Sequence, residues 1–143
     1  MLQVTGILES ALFVANLQRA REFYGRVFGF KELEVSEDGC VLAAGKAQVF
    51  LLVTEAKALV ASRTPGGTVP PCLAEPRQAV GAGHIAFSVA AADVDAWRSH
   101  LEREGVALES EVAWQGGARS IYFRDPDGHL LELATPGLWG MHP

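Results

Sequence analysis

The chain is poor in cysteine, in basic residues and in long apolar runs, and each shortage removes a class of protein. Cys40 and Cys72 are the only two cysteines among 143 residues, and they form no metal-like pair. Neither a disulfide framework nor a cysteine zinc site is indicated. Twelve Lys and Arg stand against seventeen Asp and Glu, a net charge of −5. Gripping a phosphate backbone needs a basic footprint, so no nucleic-acid partner is expected. The apolar run 11–15 falls far short of the ~20 residues that span a bilayer, and no membrane partner is expected. No charged leader with a small-residue cleavage site is seen, and the expectation is a cytoplasmic protein. What remains is ordinary globular material, 49% apolar and 20% charged, long enough for one domain over 1–143.

An internal repeat organises it. Glu9-Ser-Ala-Leu-Phe-Val-Ala15 aligns with His84-Ile-Ala-Phe-Ser-Val-Ala90, matching Ala11 with Ala86, Leu12 with Phe87 and Val14 with Val89. Each segment leads into a helical pattern, with Ala20, Phe23, Tyr24, Val27 and Phe28 on one face of the first and Val94, Trp97 and Leu101 on the second. Asn16 and Asp93 are N-cap residues by type, and Gly29 and Gly105 stand where a glycine ends a helix. Strand-like stretches follow each helix, at 30–36, 40–44 and 48–53, then at 106–114, 119–124 and 129–134, with a turn at 125–128. The fold class is therefore α+β. Two βαβββ modules, about 5–54 and 83–135, form a cupped mixed β-sheet with helices on the outer face, and a tail covers 136–143. Between them a linker of about 55–82 holds Pro65, Gly66, Gly67, Pro70, Pro71 and Pro76. This composition reads as a loop and a candidate lid, stiff at Pro70-Pro71 and hinged at Gly66-Gly67, with a short helical turn at 55–60.

Strand alternation sorts the polar residues. Ile85, Phe87 and Val89 share one face of their strand, and His84, Ala86 and Ser88 the other. Leu8, Leu12 and Val14 go with the helix, while Glu9, Ala11 and Phe13 face away. Leu131 and Leu133 oppose Leu130, Glu132 and Ala134; Ile121 and Phe123 oppose Ser120, Tyr122 and Arg124. A cup would then be lined by Glu9, His84, Ser120, Tyr122 and Glu132. An ionisable group in such a concavity is costly unless paired or coordinated. One imidazole and two carboxylates suit a divalent first-row metal with positions left open for substrate. Taken singly, His84 reads as a hydrogen-bonded core histidine and Glu9 and Glu132 as surface charges; the repeat changes this, because it places Glu9 and His84 at equivalent positions.

The pattern Glu9-x-x-Leu12-x-Val14-x-Asn16-Leu17, with Phe23-Tyr24 and Phe28-Gly29-Phe30 after it, resembles the first module of the vicinal oxygen chelate superfamily. Gly83-His84-Ile85-Ala86-Phe87-Ser88-Val89 is similar to its second opening strand. Tyr122-Phe123-Arg124-Asp125-Pro126-Asp127-Gly128-His129-Leu130-Leu131-Glu132-Leu133 is similar to its closing hairpin. The superfamily includes glyoxalase I, methylmalonyl-CoA epimerase, extradiol dioxygenases, fosfomycin-modifying enzymes and bleomycin-binding proteins. The resemblance implies metal ligands at Glu9, His84 and Glu132 and one divalent ion, Zn, Ni, Mn or Fe. Glu9 stands where histidine is commonest. Glyoxalase I and the epimerases use a fourth ligand on the strand that here reads 48–53, where Gln48 is the only polar residue.

The implied function is a metal-dependent enzyme of the lyase or isomerase type. Its small substrate chelates the metal through adjacent oxygens, and Glu9 or Glu132 moves the proton. Tyr122 and Ser120 resemble active-site positions of the fosfomycin branch, although the tail 134–139 lacks the cations that branch uses for a phosphonate. Arg119 and Arg124 are either anion binders or solvated strand-end charges. Alternatives are a non-haem Fe(II) dioxygenase-like enzyme, a fosfomycin-type thiol transferase and an antibiotic-sequestering binding protein. His129 is read as a turn residue, His100 and His142 as surface residues, and Trp114, Trp139 and Phe13 as pocket or packing aromatics. Superfamily members are frequently homodimers, and the apolar tail with Leu138, Trp139 and Met141 fits a dimer interface.

Overall fold

The computed structural model describes residues 1–75 and 81–141, and the chain divides into two compact units, Met1–Val80 and Gly81–Pro143. The linker end at 76–80 and the tail residues His142 and Pro143 lie outside the described residues. No helix among the described residues is long and apolar enough to cross a membrane.

In the first unit β1 (Glu9–Val14) leads into α1 (Leu17–Phe28). The Asn16 side chain accepts the Arg19 N–H at 2.9 Å, satisfying a donor the helix leaves open, and Gly29 ends it at φ +67°. Three strands follow: β2 (Lys31–Val35), β3 (Gly39–Ala43) and β4 (Val49–Thr54). They pair in the order β1-β4-β3-β2, with β1 parallel to β4 and the other pairs antiparallel. Alternation sends Leu12, Val14, Leu42, Phe50 and Leu52 into the core beside Ala20, Phe23, Tyr24 and Val27 of α1. Tyr24 meets the edge of Phe50 at 5.0 Å between ring centres. Leu8, expected on this face, precedes β1 and is exposed.

The second unit repeats the plan. β7 (His84–Ser88) is followed by a 3₁₀ turn (Ala91–Asp93) and a helix (Val94–Arg103), then β8 (Leu108–Ala113), β9 (Arg119–Arg124) and β10 (Leu130–Ala134). The order β7-β10-β9-β8 matches the first unit, including the parallel pairing of its first and last strands. Even the irregularities match, because the register slips between Glu32 and Glu34 in one unit and between Leu108 and Ser110 in the other. Both bulges lie on edge strands, where they blunt pairing with another chain. The α+β class and the duplicated βαβββ order are thus present.

Two local expectations need correction. Asp93 occupies the N-cap position, but its side chain makes no capping bond, because the chain enters that helix through the 3₁₀ turn. The linker is more than a loop. After the helical turn α2 (Glu55–Ala58) it folds into a hairpin of β5 (Ser62–Thr64) and β6 (Gly67–Val69), so Pro65-Gly66 make its turn and Gly67 begins a strand.

Candidate functional site

Glu132 stands at the centre of β10, directly opposite Tyr122 on β9 and beside Ala86 on β7. Alternation places Ser120, Tyr122, Glu132 and His84 on the face opposite Ile121, Phe123, Leu131 and Leu133. The Glu132 side chain is buried, and a buried carboxylate must be hydrogen-bonded. Its Oε1 accepts from the Ser120 hydroxyl at 2.6 Å and from the Tyr122 hydroxyl at 3.0 Å. Ser120 in turn accepts the indole N–H of Trp114 at 2.8 Å. An indole can only donate and a serine has one proton, so the chain runs one way, from Trp114 through Ser120 to Glu132. Burial, then the bond to Glu132, pushes the Tyr122 phenol up, keeping it a protonated donor at neutral pH.

The other carboxylate oxygen, Oε2, faces His84 Nε2 at 3.3 Å. His84 Nδ1 lies 2.9 Å from the Leu130 carbonyl, which can only accept, so the proton belongs on Nδ1. That fixes the ring with Nε2 toward Glu132, the orientation that a backbone carbonyl commonly gives a metal-binding imidazole. Two ligands of a tetrahedral ion at about 2.0–2.1 Å stand ~3.3–3.4 Å apart. With the ring proton on Nδ1, Nε2 has none to give Oε2, and the His84–Glu132 spacing fits a shared cation.

Glu9 belongs to the first unit. It is exposed at the start of β1, opposite Val49, just as His84 stands opposite Leu130. The same correspondence pairs Glu132 with Leu51 and Tyr122 with Val41. Gln48, the expected polar candidate, precedes β4 and is exposed, so the position matching Glu132 is apolar. Within neither unit do the described residues gather three or more His, Cys, Asp or Glu groups around one point; the second unit brings together two, His84 and Glu132.

A pocket of about 450 Å³ opens over this pair, walled by Trp114, Tyr122 and the turn from Thr135 to Met141. The first unit has a smaller cavity of about 200 Å³, floored by Val41, Leu51 and Val53 and edged by Val60 and Val69. Arg119 is held by Asp95 and Glu111, and Arg124 by Glu109, which settles both as surface ion pairs. Trp114 is the residue the sequence undervalued, a polar anchor of Ser120 as well as an aromatic wall. His129, read as a turn residue, is fully buried, and its Nδ1 accepts the Gly83 N–H at 3.0 Å.

Comparison with known proteins places the fold in a family. The chain is 31% identical over 127 residues to a glutathione transferase FosA of Serratia marcescens, covering 89% of this chain and 78% of that one. It is 29% identical over 136 residues to a metallothiol transferase FosB of Shouchella clausii, with 92% and 81% covered. Among solved structures, a lactoylglutathione lyase from Agrobacterium tumefaciens superposes with a TM-score of 0.82 at 30% identity, covering 96% of this chain and 98% of that one. The sequence pattern of one superfamily matches residues 6–133, and on that evidence the chain belongs to the Glyoxalase/Bleomycin resistance protein/Dioxygenase superfamily.

Proposed function

We propose that the chain is a divalent-metal-dependent enzyme of the lyase or isomerase type, acting on a small oxygenated molecule that chelates the metal through adjacent oxygens. The observation that carries this reading is the convergence of His84 Nε2 and Glu132 Oε2 at 3.3 Å on the floor of a pocket. Glu9, at the position of the first unit that matches His84, is the third ligand that the resemblance to the superfamily implies. His84 and Glu132 would hold the metal, one of Zn, Ni, Mn or Fe, which when bound would supply a Lewis acid for a substrate oxygen. Ser120 and Tyr122 hold Oε1 of Glu132 and so keep Oε2 forward. The Tyr122 hydroxyl, at the pocket wall, can also turn to a substrate oxygen. Glu9 or Glu132 takes the proton from the reacting carbon, as a nearby carboxylate can. We infer a cytoplasmic homodimer, for which light scattering should give about twice 15.3 kDa.

Elemental analysis of protein purified without added metal tests the reading. About one equivalent per chain is expected, reduced in Glu132→Gln; a metal-free wild type refutes it and favours a binding protein. A second reading, a thiol transferase of the fosfomycin type, is favoured by the sequence relatives named FosA and FosB. Mass spectrometry of metal-loaded protein with fosfomycin and glutathione separates the two: a thiol adduct selects the second reading.

A further inference from the structure

We infer that the pocket of the second unit takes substrates whose far end is flat, apolar and uncharged, and that Trp114 and the turn at 135–141 make that selection. The inference rests on the reading of this pocket as the substrate site. The pocket has two chemically different ends. Its floor is polar, with His84, Tyr122 and Glu132. Its rim is apolar, with Trp114, Leu138, Trp139 and Met141. Trp139 and Met141 are 84% and 76% exposed, a large apolar display for a monomer surface, and such displays mark binding sites.

The rim is a built feature of the fold. Thr135 is buried, its hydroxyl accepts the Arg119 N–H at 2.9 Å, and its own N–H donates to the Arg119 carbonyl at 3.0 Å. Beyond it the Gly137 N–H donates to the Met141 carbonyl at 3.1 Å and the Gly140 N–H to the Gly137 carbonyl at 3.0 Å. These bonds close a turn that carries Leu138 and Trp139. Trp114 is fixed from the other side through its indole N–H to Ser120, so its flat face is presented in one orientation.

Charge supports the same conclusion. Among the described residues no lysine or arginine lines the pocket, and the arginines of the neighbouring strand β9 are engaged by Asp95, Glu111 and Glu109. An anionic group at the apolar rim would lose its water and meet no lysine or arginine of the described lining, and in the metal-free protein the Glu132 carboxylate lies on the floor below it.

Isothermal titration calorimetry on the metal-free full chain tests this with three ketones: acetophenone, acetone, which lacks the ring, and para-acetylbenzoate, which adds a carboxylate at the far end. Acetophenone should bind at least about tenfold more tightly than either. Trp139→Ala and Leu138→Ala should each weaken acetophenone several-fold while the metal equivalents bound on reloading stay unchanged. Equal or tighter binding of acetone or of para-acetylbenzoate overturns the inference. So does a Trp139→Ala variant that keeps its acetophenone affinity and changes only its mass in light scattering, which would make the turn a contact between copies. None of these probes needs the metal, so a failed metal assay and a failed apolar rim give separate results.

Discussion

Replacing Ser120 by alanine should cost the second unit about 2 kcal/mol, within the range for a hydrogen bond to a charged group. Ser120 is fully buried and sits mid-chain between Trp114 and Glu132. The substitution deletes a 2.6 Å bond to a buried carboxylate and leaves that carboxylate with Tyr122 as its remaining hydroxyl donor. The Trp114 indole loses its acceptor too, but at 39% exposure it can reach water, so its share of the loss is small. The assay is internal to the molecule. Trp97, Trp114 and Trp139 are the three tryptophans of the chain and all lie in the second unit, so fluorescence in urea follows that unit alone. With a slope of about 2 kcal/mol per molar urea, the midpoint should fall by about 1 M. The decisive control is a double-mutant cycle in metal-free protein. In a Glu132→Ala background the serine has no carboxylate to serve, and Ser120→Ala should cost at least about 1 kcal/mol less. Equal costs in both backgrounds would refute the reasoning, because Ser120 would then not be holding Glu132.

Other expectations follow from the same geometry. His84→Ala should empty the metal site while changing stability by less than about 1 kcal/mol, since the ring is half exposed and packing falls to Ile85 and Phe87; metal content and a urea melt read the two effects. Ellman's reagent should find one fast thiol in the native protein, the exposed Cys72, while Cys40 reacts only on unfolding. Burial pushes the Cys40 thiol up, so at neutral pH it holds less of the reactive thiolate, and two fast thiols would contradict this. Gly81→Ala should destabilise by about 2 kcal/mol or more, because φ is +80° and a Cβ would lie 2.3 Å from the Asp127 carbonyl oxygen; an unchanged melting curve would count against that contact. Excising the β5–β6 hairpin tests the covering role proposed for the linker: turnover should fall with metal content intact, and unchanged turnover leaves a tether.

The parts that could be read in advance were those set by local rules. The apolar spacing of α1 and its end residues Asn16 and Gly29 are short-range signals, and the structure uses both. Strand alternation put Ser120, Tyr122 and Glu132 on one face because β9 and β10 pair without a slip. Trp114 was harder. It stands just beyond β8, two residues after Val112, the partner of Ser120, so alternation holds there; what one strand alone does not reveal is the pairing of β8 with β9 that brings the indole to Ser120. Gly83, which donates to His129, lies just before the neighbouring strand β7 and 46 residues away in sequence, and no local pattern announces such a contact. The β5–β6 hairpin hid in strands of three residues, too short to show a period, although Pro65-Gly66 carried the turn signal.

The duplication explains why the polar network stands on one copy of the scaffold. In the second unit Glu132 has Tyr122 opposite and Ser120 diagonal to it, and both donate to its Oε1. The matching positions of the first unit are Leu51, Val41 and Gly39, none of which has a side-chain donor. A carboxylate introduced at Leu51 alone would find no hydroxyl at Val41 or Gly39 to hold it as Tyr122 and Ser120 hold Glu132. Making that half polar would take at least three coordinated changes, since each single one leaves a group unsatisfied. The pair Glu9 and His84 is different. Each begins its module's first strand, and His84 is already half exposed, so an ionisable group there needs few partners to be tolerated. The symmetric fold can therefore keep ionisable groups at both strand starts while confining the buried carboxylate, with its serine, tyrosine and tryptophan, to the second unit.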